Sequence, residues 1–268
     1  MQAEPSIKQI LDFYHEAGVD ETIGEVPVDR FSVPAPVSTV RPATAPARKS
    51  VTDLKAVAPQ SQPAALPNTE LVIKAEECAA ACTDLDTLKT ALQTFSGCSL
   101  QKMATHTVFS RGDAASKIML IDRPASAEED RTGLPFAGAS GVFLAKMLKA
   151  IGLGEETVYM TTVLPWRPPG GRAPTKEEQA ICLPFIRRHI ELAAPHTVLL
   201  FGEAASFMSG QKAGINRLRG KWMDLPVNQK SFKALPLFHP AFLIEHPTSK
   251  KAAWQDLLML KNTLSRRS

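Results

Sequence analysis

Two short segments carry the residue types best suited to chemistry. Phe238-His239-Pro240-Ala241 places an imidazole just after an apolar run, and Gly133-Leu134-Pro135-Phe136-Ala137-Gly138 holds an aromatic ring in a glycine-bounded loop. A neutral imidazole held in a dry pocket can donate a hydrogen bond to an oxygen on which negative charge develops. An aromatic face stacks on a planar heterocycle whatever its identity. Together His239 and Phe136 would grip a flat base and stabilise it as an anion. His15, His106, His189, His196 and His246 lack such a context and read as surface or core residues. The chain has no glycine-rich phosphate loop of the P-loop or dinucleotide type, which argues against an unrelated nucleotide-binding α/β protein.

Elements must hold these segments in place. Apolar runs at 118–121, 158–164, 197–201 and 234–238 alternate with helical patterns at about 140–151, from Thr175 with Glu178 at capping-box spacing, from Glu203, and at about 250–264. The alternation predicts a three-layer α/β/α domain around a central, mostly parallel four-stranded sheet, with ligands at the carboxyl ends of the strands. His239 and Phe136 both follow predicted strands.

Three parts are expected along the chain. In residues 1–30, Ile7, Ile10, Leu11 and Tyr14 fall at helical spacing and predict a short amphipathic helix over 6–17, stopped by Gly18 and suited to docking a protein partner. Residues 31–70 contain seven prolines and read as a disordered linker. The domain proper is expected over 71–268. It opens with one helical pattern through Leu71, Val72, Ala75, Cys78, Ala79 and Cys82 and a second through Leu85, Leu88, Leu92 and Phe95, which Thr83 could cap.

Charge is distributed unevenly. Residues 95–268 hold 23 Lys/Arg against 14 Asp/Glu, whereas residues 1–94 hold 8 against 13. A basic globular part suits a polyanion such as nucleic acid, although a generic basic surface would have the same composition. No apolar run approaches the roughly 20 residues of a membrane span, and the Met1-Gln2-Ala3-Glu4 start lacks a signal pattern. A cytoplasmic, monomeric protein with reduced cysteines is expected.

In order, the motifs Glu129-Asp130 with Gly133-x-Pro135-Phe136-x-Gly138, Val158-Tyr159, Trp166-Arg167-Pro168-Pro169-Gly170-x-Arg172-x-Pro174-Thr175, Arg217-Leu218-Arg219-Gly220 and His239-Pro240-Ala241 make residues 95–268 resemble the uracil-DNA glycosylase superfamily. The resemblance is nearest to the iron–sulfur family-four type. It implies base excision: a bacterial-type, nucleoid-associated hydrolase that flips uracil, or another deaminated base, out of DNA and cuts its N-glycosidic bond. His239 would stabilise the leaving base and Phe136 would stack on it, with Pro124, Thr162, Pro240 and Ala241 completing the pocket. Arg172, Arg217, Arg219 and Gly220 would meet DNA.

Three departures qualify the resemblance. The family's first motif, Gly-Glu-Ala-Pro-Gly, is replaced by Ile121-Asp122-Arg123-Pro124-Ala125-Ser126. Ungapped alignment puts Arg123 at the acidic, water-positioning place, whereas a loop longer by one residue puts Asp122 there and restores Pro124. Thr162 stands where the family has an Asn that pairs with the base edge; an amide offers a donor and an acceptor in one plane, whereas a hydroxyl satisfies only one ring position well, and an unsatisfied edge costs about 1–3 kcal/mol. Of the four cluster cysteines only Cys98 and Cys182 have counterparts, with Phe95 and Trp166 at the other two places, so no cofactor is expected unless Cys78 and Cys82 complete a [4Fe–4S] set. The alternative function is a catalytically impaired glycosylase-fold protein that binds DNA.

Overall fold

The computed structural model describes residues 69–266. The helix expected over 6–17 lies outside the described residues, as does the linker except for Thr69 and Glu70, which already belong to the first helix. In chain order the elements are α1 (Thr69–Ala81), α2 (Leu85–Thr94), α3 (Ser99–Met103), β1 (Arg111–Gly112), β2 (Ile118–Asp122), α4 (Ala127–Thr132), α5 (Gly138–Ala150) and β3 (Tyr159–Thr162). There follow α6 (Lys176–Ala193), β4 (Thr197–Phe201), α7 (Ala204–Ser209), α8 (Ile215–Leu218), β5 (Met223–Val227), β6 (Lys230–Leu237), α9 (Pro240–Glu245) and α10 (Lys250–Ser265).

The strands form one sheet in the order β1-β3-β2-β4-β6-β5. Its four inner strands are mutually parallel, as the alternating pattern predicts, and two antiparallel edge strands raise the count among the described residues from the expected four to six. The extra strands escape sequence reading for a physical reason. β1 is two residues long, and β5 carries Pro226 and alternates between buried and exposed positions, as an edge strand can. Asn228, with φ of 50°, makes the tight turn from β5 into β6.

Burial on both faces explains the strand sequences. Every residue of β2 and of β4 is buried. In β2, Met119 and Ile121 pack with α1, α2 and α6 on one face, while Ile118 and Leu120 pack with α5 and α10 on the other. A strand covered twice must read as an unbroken apolar run. Helix starts follow local chemistry: Thr175 caps α6 in a capping box with Glu178, as expected, whereas α2 is capped by Asp84 with Thr87 and not by Thr83.

Parallel alignment brings four strand ends to one rim. Asp122 pairs with Thr162, and Phe201 with Leu237, so the loops leaving β2, β3, β4 and β6 gather there. His239 lies two residues beyond β6. Sequence partners more than a hundred residues apart therefore meet at the point where the chain switches from one side of the sheet to the other.

Candidate active site

At this rim an imidazole and two carboxyls are packed together. Asp122, Phe136, Thr162 and His239 are 1%, 1%, 3% and 5% exposed, and Glu129 is 2% exposed. His239 caps α9, and its Nδ1 accepts the Ala241 backbone N–H at 3.1 Å. That bond places the proton of the neutral ring on Nε2. Nε2 lies 2.8 Å from Asp122 Oδ1, which also accepts the Arg123 N–H at 2.7 Å. Burial, with the Arg123 guanidinium nearby, pushes the imidazole down to about 3. His239 is thus a neutral Nε2–H donor at any ordinary pH.

The carboxyls sit in the opposite regime. Burial pushes Asp122 up to about 6 and Glu129 up to about 7, and the two hydrogen-bond each other. They lose protons as a pair, so neither value belongs to one residue alone. Glu129 closes the capping box of α4 by accepting the Ser126 N–H at 2.7 Å, and its other oxygen accepts the Phe136 N–H at 2.6 Å. That second bond holds Phe136 at φ of 52°, a strained conformation for a bulky residue. Gly141 makes the turn possible, because a Cβ there would lie 1.8 Å from the Phe136 carbonyl oxygen. The Phe136 ring ends nearly parallel to His239, centroids 6.1 Å apart, and edge-on to Phe201 at 5.2 Å.

Two clefts open beside this buried group. One, of about 260 Å³, includes Arg123, Pro124, Arg167 and Arg172 among its walls. The other, of about 280 Å³, includes Arg123, Phe238, His239 and Ala241, and Glu203 borders both. Pro240 is buried as the first residue of α9.

Several expected roles change in this geometry. Thr162 Oγ1 donates to the Arg123 carbonyl and lies 3.1 Å from the Leu164 carbonyl, so it braces the loops after β2 and β3 and offers no free hydroxyl to a base edge. Arg172 is held bidentately by Glu178 at 2.6 and 2.8 Å. Arg219 is held the same way by Asp256 at 2.6 and 2.8 Å, donates to the Ala252 carbonyl, and lies 5.0 Å from the Phe238 ring centroid. Gly220 is a close-approach glycine: a Cβ there would meet Asp256 Oδ1 at 2.3 Å. Arg219 and Gly220 therefore fasten α10 beneath the strand that leads to His239. Only Arg217, of the expected DNA contacts, is exposed and without a side-chain partner among the described residues.

Sequence reasoning passed over Glu129 as a site residue. A signal was present, since Ser126 and Glu129 have capping-box spacing, but nothing local says that the same carboxylate also reaches Phe136 and Asp122.

Cys98 and Cys182 are buried and share a thiol–thiol hydrogen bond. The same apolar core holds the two aromatic residues at the other cluster places: Phe95 packs edge-on to Phe185 at 5.0 Å, and Trp166 is fully buried with its indole N–H donating to Thr107. Cys82 Sγ donates to the Cys78 carbonyl. Among the described residues no three His, Cys, Asp or Glu side chains are grouped to hold a metal. Two buried thiols, with Phe95 and Trp166 at the other two places, do not fit a cluster that takes four thiolates.

Fold and site together define a class: a doubly covered α/β protein with a neutral imidazole and a carboxyl pair at the carboxyl ends of its strands, beside arginine-lined clefts. Residues 109–258 match the uracil DNA glycosylase superfamily, and the chain belongs to that family. It is similar to the Type-4 uracil-DNA glycosylase of Thermotoga maritima, 34% identical over 155 residues that make up 57% of this chain and 79% of the relative. The Type-4 enzyme of Archaeoglobus fulgidus is 33% identical over 168 residues, 61% and 84% of the two chains, and that of Saccharolobus solfataricus 28% over 188 residues, 68% and 87%.

Proposed function

We propose that this chain excises uracil, or another deaminated base, from DNA by hydrolysing the N-glycosidic bond of a flipped nucleotide. The observation that carries the reading is the buried His239 with its tautomer fixed by Ala241. A donor already neutral and already oriented stabilises an oxygen as it becomes anionic without reorganising at that moment. The single Nε2–H now faces Asp122, and it serves one acceptor at a time. An incoming base carbonyl would replace Asp122 Oδ1 as the acceptor of that hydrogen bond. The released carboxylate would then be free to orient the attacking water and to oppose the positive charge developing on the sugar. This assigns the acidic role to Asp122, the longer-loop alignment, and leaves Arg123 to the clefts.

The test is release of free base, with an abasic product, from single- and double-stranded oligonucleotides carrying one uracil. Failure to release uracil, hypoxanthine or xanthine from DNA that the protein binds would replace the proposal with a non-catalytic DNA-binding role.

The rate should also show an acid limb. The reaction needs an ionised Asp122, whose carboxyl pair loses its protons between about 6 and about 7, so the rate should fall as pH drops through that window. His239, at about 3, adds no limb of its own there. Single-turnover rates from pH 5 to 9 check this, and a profile flat through pH 6 would remove the carboxyl pair from the mechanism.

We read the protein as working without an iron–sulfur cluster, because buried Phe95 and Trp166 stand at two of the four cluster places and leave only Cys98 and Cys182. Anaerobically purified protein should be colourless, without absorbance near 400 nm and without stoichiometric iron; a brown, iron-loaded protein would contradict the packing argument. With DNA as substrate, we place the protein in the cytoplasm on the nucleoid, acting as a monomer, with residues 1–30 available to a protein partner.

A further inference from the structure

We infer that the arginine-lined cleft between the loop after β2 and the loop before α6 is a phosphodiester subsite, in which Arg123 and Arg167 hold the DNA backbone beside the flipped nucleotide. The inference rests on the proposed DNA substrate and assigns residues that the motifs left without a role. Arg123 and Arg167 are half-buried and both line the 260 Å³ cleft, and neither guanidinium has a hydrogen-bond or ion-pair partner among the described residues. A guanidinium carries five N–H donors and no acceptor, so leaving it half-desolvated and unpaired is costly until an anion arrives. Arg172, also lining the cleft, is already neutralised by Glu178. Among the described residues, the free positive charge of the cleft therefore comes from the other two, against the carboxylate of Glu203.

The chemistry of the walls selects the ligand. Among the described residues no aromatic ring lines the cleft, so they offer a base nothing to stack on. Planar forks of donors match the tetrahedral oxyanion of a phosphate. The cleft also shares Arg123 and Glu203 with the neighbouring cleft that contains His239. A polymer with one nucleotide at His239 must carry its backbone across Arg123, which a free phosphate need not do.

This assignment also resolves an apparent conflict. A bare guanidinium next to the site opposes a sugar that becomes cationic, and Arg123 is close enough to be felt by both His239 and Asp122. Paired with a phosphate, the same side chain presents no net charge. The residue that would hinder the empty site is then harmless in the loaded one.

The full chain is tested by fluorescence anisotropy on a single-stranded oligonucleotide with one 2′-fluoro-deoxyuridine, which resists cleavage, over a range of salt. Each backbone contact contributes about 0.7 to the slope of log affinity against log salt on a single strand. Arg123→Gln and Arg167→Gln should each flatten the slope by about that amount, and the double variant by about 1.4. An uncharged methylphosphonate should weaken wild-type binding at one or two linkages flanking the uridine and have no effect there on the double variant. An unchanged slope in a double variant with wild-type thermal stability overturns the proposal, as does a methylphosphonate effect that survives both substitutions. If inorganic phosphate stabilises the protein through Arg123 while every methylphosphonate is silent, the cleft holds a free anion and the DNA assignment falls. Anisotropy reads binding whether or not base is released, so a failed excision assay with the expected slopes removes the proposed activity alone.

Discussion

His239→Ala is expected to slow uracil release by about a hundred- to a thousandfold while leaving DNA affinity nearly unchanged. Nε2–H is the one donor held ready for the leaving base, and its direction is set by two bonds, Ala241 N–H onto Nδ1 at 3.1 Å and Nε2 onto Asp122 Oδ1 at 2.8 Å. Alanine removes the donor and leaves the negative charge on the departing base to water. His239→Gln should recover part of the rate, because an amide N–H can donate where an alanine cannot. Asp122→Asn should reduce the rate by a different route: the neutral amide keeps a partner for Nε2–H but has no negative charge with which to orient the water or oppose the developing sugar cation, and the acid limb near pH 6 should disappear. Single-turnover kinetics with oligonucleotide in excess of its Kd separate the effects from binding. A His239→Ala variant with more than a tenth of the wild-type rate would place the leaving-group contact elsewhere.

Arg219→Ala should cost stability, with no specific effect on DNA contact. The Arg219 side chain is 20% exposed and its partner Asp256 4%, with two charge-assisted bonds between them and a third to the Ala252 carbonyl. Removing the cation strands a buried carboxylate, for which about 3 kcal/mol is the expected order of loss. For a domain of this size that lowers Tm by about 6–12 °C. Replacing both partners by apolar residues, Arg219→Met with Asp256→Leu, should recover much of the loss, since no charge is then left unpaired. Arg217→Ala supplies the contrast: the side chain is exposed, so Tm should hold while the salt slope of DNA binding flattens. Thermal unfolding followed by circular dichroism decides the matter. If Arg219→Ala melts with the wild type and flattens the salt slope, it belongs to the DNA face.

These expectations separate two kinds of information. The parallel core was legible because β2 and β4 are covered on both faces, and such strands must be apolar throughout. The capping box Thr175–Glu178 was equally plain, since its partners are three residues apart. The edge strands were not, because a two-residue strand and a proline-bearing one have no periodicity to display. The same division runs through the site. His239 and Phe136 stand out by local context, a histidine before Pro-Ala and an aromatic in a glycine-bounded loop.

What only the tertiary structure decided is whom each side chain meets. Arg219 and Arg172 look like DNA contacts until Asp256 and Glu178 are seen to hold them, and Thr162 looks like a base-edge partner until its hydroxyl is found on the carbonyls of the neighbouring loops. Glu129 looks like a helix cap and is also the support of Phe136 and the proton-sharing partner of Asp122. By itself the sequence determined the layered α/β fold and which residue types could do chemistry, because burial periodicity and loop signals are properties of neighbouring residues. It could not determine the charge state of the site, because desolvation and long-range pairing, which drive His239 down and Asp122 and Glu129 up, depend on what four separate strand ends bring together.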